Sequence, residues 1–108
     1  MSFRVLGGAH GDVTDTLLWL VRRHRYRAIR SLWTAWQTGL DAVAANPRMY
    51  SPAENAPPGI EVRYYFLPRT SYRIVYVVLP TETVVLALAH GRRGTDPWLS
   101  RLPQVLTP

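Results

Sequence analysis

The segment YRIVYVVLPTETVVLALAHGRR, residues 72–93, constrains the fold more than any other part of the chain. Two runs of β-branched, aromatic and aliphatic residues flank the tetrapeptide PTET, and this pattern predicts two antiparallel strands joined by a short turn. A strand with one face in water alternates apolar and polar residues, but these runs are apolar at nearly every position. Both faces of the hairpin must therefore be covered by other parts of the chain or by another molecule.

The PTET turn also predicts a register. If it pairs Leu79 with Val84, one face of the hairpin carries three further cross-strand pairs: Val77 with Leu86, Val75 with Leu88, and Arg73 with His90. The opposite face then carries Tyr72, Ile74, Tyr76 and Val78 beside Val85, Ala87 and Ala89. Both faces are apolar, and the first ends in a cationic corner formed by Arg73 and His90.

The preceding sequence predicts the remaining elements. A short strand over 3–6 precedes a helix that starts near Asp12, and a second helix runs to Asn46-Pro47. A proline-rich loop over 46–59 leads to a further strand over 61–67. The order is β-α-α-β-β-β, which predicts an α+β fold with the helical hairpin packed on one face of a small, mostly antiparallel sheet.

Length and composition limit the possible classes of protein. We expect residues 1–108 to form a single domain with an irregular C-terminal tail from about residue 91. The chain has no cysteine, which excludes disulfides, thiolate metal sites and a cysteine nucleophile. It has neither a signal-peptide core nor an apolar run near the roughly 20 residues that span a bilayer, so we expect a soluble, cytoplasmic protein without membrane contact.

Two short helices can cover only one face of the predicted sheet. We therefore expect the other face or the sheet edge to bind a second polypeptide, because monomers rarely leave large apolar patches in water. The alternative is that the chain covers this face itself, with Met49 and Tyr50 from the loop and Trp98 and Leu102 from the tail.

Basic charge is the other prominent property. The net charge is +6, from 13 arginines and no lysine against seven carboxylates. Five of these arginines lie within RRHRYRAIR, residues 22–30. A cationic surface of this kind attracts phosphate groups or acidic proteins, and the arginine fork binds both in bidentate fashion.

The ordered series of motifs resembles the RelE/ParE superfamily of toxins from type II toxin-antitoxin systems. The matching stretches are FRV, DVTDTLLWLV, AANPRM, GIEVRYYFL, YRIVYVV and TVVLALAHGRR, and the NPRM and HGRR segments favour the ParE branch. The resemblance implies a growth-inhibiting toxin involved in plasmid stabilization, neutralised in a hetero-oligomer with a cognate antitoxin. Its target would be DNA gyrase in the ParE branch, or messenger RNA on the ribosome in the RelE branch. A third possibility is an inactive toxin-like binding domain.

The RelE alternative would need an endoribonuclease site. Such a site requires a group that activates the ribose hydroxyl and cations that stabilise the charged phosphate, for which Arg63, Arg73 and His90 are the candidates. The resemblance is incomplete, because RelE-like nucleases typically add lysines or a C-terminal tyrosine, and this chain has no lysine and no tyrosine after Tyr76.

The remaining candidates are residues that would bind the target or the antitoxin. Tryptophan, tyrosine and arginine are the side chains that most often anchor protein interfaces. On this basis we predict contacts from Trp19, Arg22, Arg23, Arg25, Tyr72, Tyr76, Arg92, Arg93 and Trp98. We expect no cofactor and no metal, since His10 and Asp12 have no third ligand at useful spacing and GGAHG lacks the phosphate-loop pattern.

Overall fold

The computed structural model describes residues 2–91 and 97–106. Strand β1 (Ser2–Val5) leads into helices α1 (Gly7–Arg22) and α2 (Tyr26–Ala45). Strands β2 (Ser51–Pro52), β3 (Glu61–Phe66), β4 (Tyr72–Val78) and β5 (Glu82–His90) follow, and the chain ends in a 3-10 helix (Pro97–Arg101) and helix α3 (Pro103–Leu106). Among the described residues, no helix is long and apolar enough to cross a membrane.

The strands form one mixed sheet in the order β1-β5-β4-β3-β2. Strand β1 pairs with β5 in parallel, and the other three pairings are antiparallel. The predicted α+β class and element order are confirmed, with one addition: β2, a two-residue strand in the predicted loop, pairs with β3.

The predicted register of the central hairpin is wrong. The turn is tighter than expected, because the Leu79 N–H donates to the Glu82 carbonyl at 2.8 Å and Val77 faces Val84. The register then shifts between Tyr76, which faces Val85, and Val75, which faces Ala87. Leu86 is thus one extra residue in β5, and every residue of β5 after it lies on the opposite face of the sheet from the one predicted.

Helix α1 begins earlier than the sequence predicts. It starts at Gly7, so Leu6 is the only residue between β1 and the helix. Ala9, in the first turn, is fully buried. The N-cap is Leu6, without a side-chain hydrogen bond, and Asp12 lies in the second turn of the helix. Packing of Leu6 and Ala9 in the two cores therefore sets the start of α1.

The face of the sheet under the helices forms the helix-side core. The two helices bury seven residues between them, and α2 contributes Trp36 and Val43 with almost no exposure. Gly39 lets α2 approach the sheet, since a Cβ at this position would lie 2.7 Å from the Ile74 Cδ1. The sheet side of this core includes Ile74, Tyr76, Val78, Val85 and Leu88.

The opposite face of the sheet forms the tail-side core, and the chain covers it without a partner. Trp98, Leu102 and Val105 from the C-terminal segment pack against this face, together with Ala53, Ala56 and Ile60 from the loop before β3. Trp98 has no exposed surface. The prediction that this face needs a second polypeptide is therefore wrong, and so is the prediction of an irregular tail for residues 97–106, which form helical turns.

An ion pair closes the edge of β5 beyond the point where β1 ends. The Arg101 guanidinium contacts both oxygens of the Asp12 carboxylate, at 2.7 and 3.0 Å, and its Nη1 also donates to the Leu86 carbonyl at 2.9 Å. The Leu88 N–H donates to Asp12 Oδ2 at 3.1 Å. The hydrogen bond to Asp12 raises the pKa of Arg101, so its positive charge is retained. The two side chains thus form the hydrogen bonds to the β5 backbone that a neighbouring strand would otherwise form. They also connect the tail to α1.

The Tyr76 hydroxyl links the sheet to the end of α2, and we expect its loss to be measurable. It donates a 2.6 Å hydrogen bond to the Pro47 carbonyl, and burial raises the pKa of Tyr76 to about 12. The substitution Tyr76→Phe should lower the free energy of unfolding by about 1–2 kcal/mol at neutral pH, because a part-buried carbonyl loses its donor.

The raised pKa also predicts a pH dependence. The unfolded tyrosine titrates near pH ~10, so the stability contributed by the protonated hydroxyl is complete below that pH and is lost as the pH rises towards 12. The free energy of unfolding, measured with urea between pH 9 and about 12, should decline more steeply with pH for the wild type than for Tyr76→Phe. Tyr26→Phe, at an exposed position, serves as the control. If the free energy of unfolding declines equally with pH in all three proteins, the pH dependence does not come from the Tyr76 hydroxyl.

Candidate functional site

The end of the helical hairpin carries a dense cluster of exposed arginines. Residues 21–27 are all exposed, and they include four arginines, which we call the hairpin-end patch: Arg22, Arg23, Arg25 and Arg27. The last buried residue of α1 is Leu20, and the first of α2 is Leu32, so this end of the hairpin projects beyond the core. Sequence analysis singled out three of the four, and Arg27 joins them because it lies in the first turn of α2.

Exposed aromatic residues accompany this patch. Trp19 is 44% exposed, as predicted, and its ring lies 5.0 Å from the Arg23 guanidinium carbon in a cation–π contact. Tyr26 is 62% exposed, and its hydroxyl is 2.9 Å from His24 Nδ1. Trp33, on α2, is also exposed, whereas Trp36 on the same helix is buried. Large apolar rings are thus available to a partner on both helices.

A groove runs between α2 and the β3–β4 turn. Small side chains of α2, including Ala28, Ala35 and Thr38, form one wall, and Pro68 and Thr70 form part of the other. Arg30 and Arg69 lie on opposite sides of it. The groove was not predictable from the sequence, because no local pattern indicates that residues near 30 and near 69 line the same space.

Arg63, the first candidate catalytic residue, has structural partners. Its Nε donates to Glu61 Oε2 at 2.8 Å and its Nη1 donates to the Tyr50 carbonyl at 2.6 Å. Arg48 contacts the other oxygen of Glu61 at 3.2 Å. Burial alone would raise the pKa of Glu61, but hydrogen bonds from Arg63 and Arg48 outweigh it and lower this pKa. Arg63 therefore anchors the loop before β3 to the sheet.

The predicted cationic corner of Arg73 and His90 does not form. The register shift places Arg73 opposite Ala89, with its guanidinium carbon 4.1 Å from the centre of the Tyr64 ring on the tail-side face. His90 instead faces Tyr72, and the two rings meet edge to face at 5.1 Å. The extra residue in β5 is the physical reason, since it rotates His90 to the other face of the sheet.

The three candidate catalytic residues are therefore dispersed. Arg63 pairs with Tyr76 and His90 pairs with Tyr72, which places them four residues apart along β4, or roughly 13 Å at the usual rise per residue. Arg73 lies on the opposite face. No single phosphate can contact all three side chains in this arrangement.

The predicted binding residues also divide into groups. Trp19, Arg22, Arg23 and Arg25 are exposed and lie together at the hairpin end, and Tyr72 is half-buried against His90. Tyr76 and Trp98 are fully buried in the two cores, so a contact role for either side chain is wrong for this conformation. Arg92 and Arg93 lie outside the described residues.

Comparison with a solved structure first identifies the class of protein. A chain in the structure described as "Chromosomal ParDE TA system from P. aeruginosa" is 20% identical, with a TM-score of 0.60 over 83% of this chain and 95% of that chain. At this identity the likeness concerns the fold alone: the protein shares the α+β fold of that chain. A search of curated proteins finds no significant match.

The sequence itself then identifies the family. Residues 9–94 match the family model described as "ParE toxin of type II toxin-antitoxin system, parDE". The chain belongs to this family. The predicted resemblance is confirmed, and with it the assignment to the toxins of type II toxin-antitoxin systems.

Proposed function

We propose that this ParE-family toxin inhibits growth by binding DNA gyrase and that a cognate antitoxin neutralises it. Family membership supplies the toxin class. The observation that carries the choice of target is the dispersal of Arg63, Arg73 and His90 over two faces of the sheet. Acid–base cleavage of RNA requires groups that converge on one phosphate. Inhibition through binding requires only an accessible surface, and the helical hairpin provides one.

The antitoxin is proposed to occupy the groove between α2 and the β3–β4 turn. Small residues along α2 leave room for an apolar segment of a partner, while Arg30 and Arg69 would pair with its carboxylates. Phe66, at the end of β3, is 57% exposed and lies beyond the two residues of β3 that pair with β2. Its ring contacts that of Tyr64 on the tail-side face, so it offers a second apolar contact, separate from the groove. The partner that fits is thus an amphipathic, acidic polypeptide.

The gyrase proposal predicts the result of an assay with purified components. Added toxin should inhibit ATP-dependent supercoiling of a relaxed plasmid by gyrase, and addition of the antitoxin before gyrase should abolish the inhibition. In cells, induction should cause DNA damage while protein synthesis continues at first. Supercoiling on agarose gels and incorporation of labelled amino acids measure the two effects.

A double variant separates this proposal from ribosome-dependent RNA cleavage. Arg73→Gln combined with His90→Gln should remain growth-inhibitory, provided that antitoxin binding shows the variant to be folded. Rapid arrest of translation with cleaved messages, abolished in the folded double variant, would contradict the gyrase proposal.

A further inference from the structure

The arginines of this protein include a group that forms ion pairs within the fold and a group that does not. Arg4, Arg48, Arg63 and Arg101 each form an ion pair with a carboxylate, at distances between 2.7 and 3.2 Å. By contrast, over residues 2–91 and 97–106, none of the four arginines of the hairpin-end patch has a carboxylate partner. The stretch 21–30 contains no acidic residue that could neutralise them.

Two members of the patch lie where the fold disfavours positive charge. Arg25 is the N-cap of α2 and Arg27 lies in its first turn, next to the positive end of the helix dipole. The first turn contains no acidic residue, and the N-cap makes no side-chain hydrogen bond. Arg22, in the last turn of α1, and Arg23, at its C-cap, complement the dipole of that helix. Positive charge at the start of a helix is unfavourable for the fold, so the presence of Arg25 and Arg27 there indicates that they bind an anion of another molecule.

We propose that the hairpin-end patch binds the phosphate backbone of duplex DNA, with Trp19 and Tyr26 flanking the contact. The inference rests on the proposed function in one respect: gyrase acts on duplex DNA, so a toxin that binds gyrase meets this polyanion. Arg23, held against the Trp19 ring, is pre-positioned for this contact. Arginine contacts to phosphates position a protein on DNA without reading its sequence.

The shape of the surface favours a duplex over an acidic peptide. Peptides bind along a strand edge or in a groove, and the molecule offers these features at Phe66 and beside α2, where the groove is not lined by any of the four arginines of the patch. The hairpin end is instead a projecting surface in which seven consecutive residues, 21–27, are exposed. Such a surface can meet phosphates on both sides of a DNA groove. RNA presents the same backbone chemistry and is distinguished by the experiment.

The test measures binding of the full-length toxin to a fluorescent 30-base-pair DNA duplex of arbitrary sequence, by anisotropy between 50 and 300 mM KCl. The variant replaces Arg22, Arg25 and Arg27 by glutamine and keeps the Trp19–Arg23 contact. Each neutralised phosphate contributes about 0.9 to the slope of log K against log salt. We therefore expect this slope to fall by about 2.7, and the affinity at 100 mM salt to fall on the order of 10²-fold.

The control variant replaces Arg4, Arg48 and Arg69 by glutamine, which removes the same net charge from other parts of the surface. Only its DNA affinity is compared, and its thermal stability is measured as well because Arg4 and Arg48 form ion pairs. It should retain affinity for DNA within a few-fold of the wild type. The patch variant should keep its thermal stability and its affinity for the antitoxin, because the removed charges lie outside the cores and outside the α2 groove. Equal losses of DNA affinity in the two variants would overturn the proposal.

Two further outcomes would also overturn it. One is loss of antitoxin affinity by the patch variant with DNA binding unchanged, which would assign the patch to a polypeptide. The other is preferential binding of a matched RNA duplex over the DNA duplex, lost in the patch variant, which would assign the patch to RNA. Because these measurements contain no gyrase, failure of the gyrase proposal is visible separately, as a wild-type toxin that leaves supercoiling unaffected.

Discussion

Replacing Trp98 by alanine should lower the free energy of unfolding by about 3–5 kcal/mol, the usual cost of truncating a buried aromatic residue. Trp98 has no exposed surface, and its ring meets that of Tyr64 edge to face at 6.4 Å between centroids. It is the largest side chain that the tail contributes to the tail-side core. Its removal should therefore weaken the whole covering layer as well as leave a cavity. Urea denaturation followed by circular dichroism measures the change.

The adjacent residue provides a control for this experiment. Leu99 is 40% exposed, and Leu99→Ala should change the stability by less than about 0.5 kcal/mol. Increased binding of a hydrophobic dye by Trp98→Ala, but not by Leu99→Ala, would indicate that the sheet face becomes accessible. If Trp98→Ala stays within about 1 kcal/mol of the wild type, the tail does not cover this face in solution.

Removing the carboxylate of Asp12 should have the second largest effect, about 2–3 kcal/mol. The Asp12→Ala substitution takes away a bidentate ion pair with Arg101 and the acceptor of the Leu88 N–H. Fully buried pairs cost about 3–5 kcal/mol when one partner is lost. The side chains here are 23% and 21% exposed, so solvent reduces the expected cost. Thermal and urea denaturation both measure it.

A double-mutant cycle distinguishes the ion pair from the rest of the site. The effects of Asp12→Ala and Arg101→Ala should be strongly non-additive, because each removes the same contact. Asp15→Ala, at an exposed position on the same helix, is the matched control and should be nearly neutral. Additive effects of Asp12→Ala and Arg101→Ala would show that the pair does not hold the tail to α1.

The sheet is covered on one face by α1 and α2 and on the other by the tail and the loop before β3. An antitoxin is therefore not required to complete either core. In the proposed complex it binds a surface of a toxin that is already folded, and neutralisation follows from blocked access to the target rather than from remodelling of the fold.

The sequence alone determined the element order, the exit of α2 before Asn46-Pro47 and the three long antiparallel strands. These features depend on local periodicity and on proline, and both act within a few residues. The exposed Trp19 and the cationic end of the hairpin were also predictable, since each follows from residues that are close together in the sequence.

Only the tertiary structure decided the register of β4 and β5, the location of Trp98 and the partner of Asp12. A hydrophobic pattern sets register when one face is polar, but here both faces of the hairpin are apolar, so the pattern is equally satisfied after a one-residue shift. That shift separates His90 from Arg73. Whether the tail or a second chain covers the sheet depends on contacts between residues distant in sequence, such as Arg101 with Asp12, and no local pattern records such contacts.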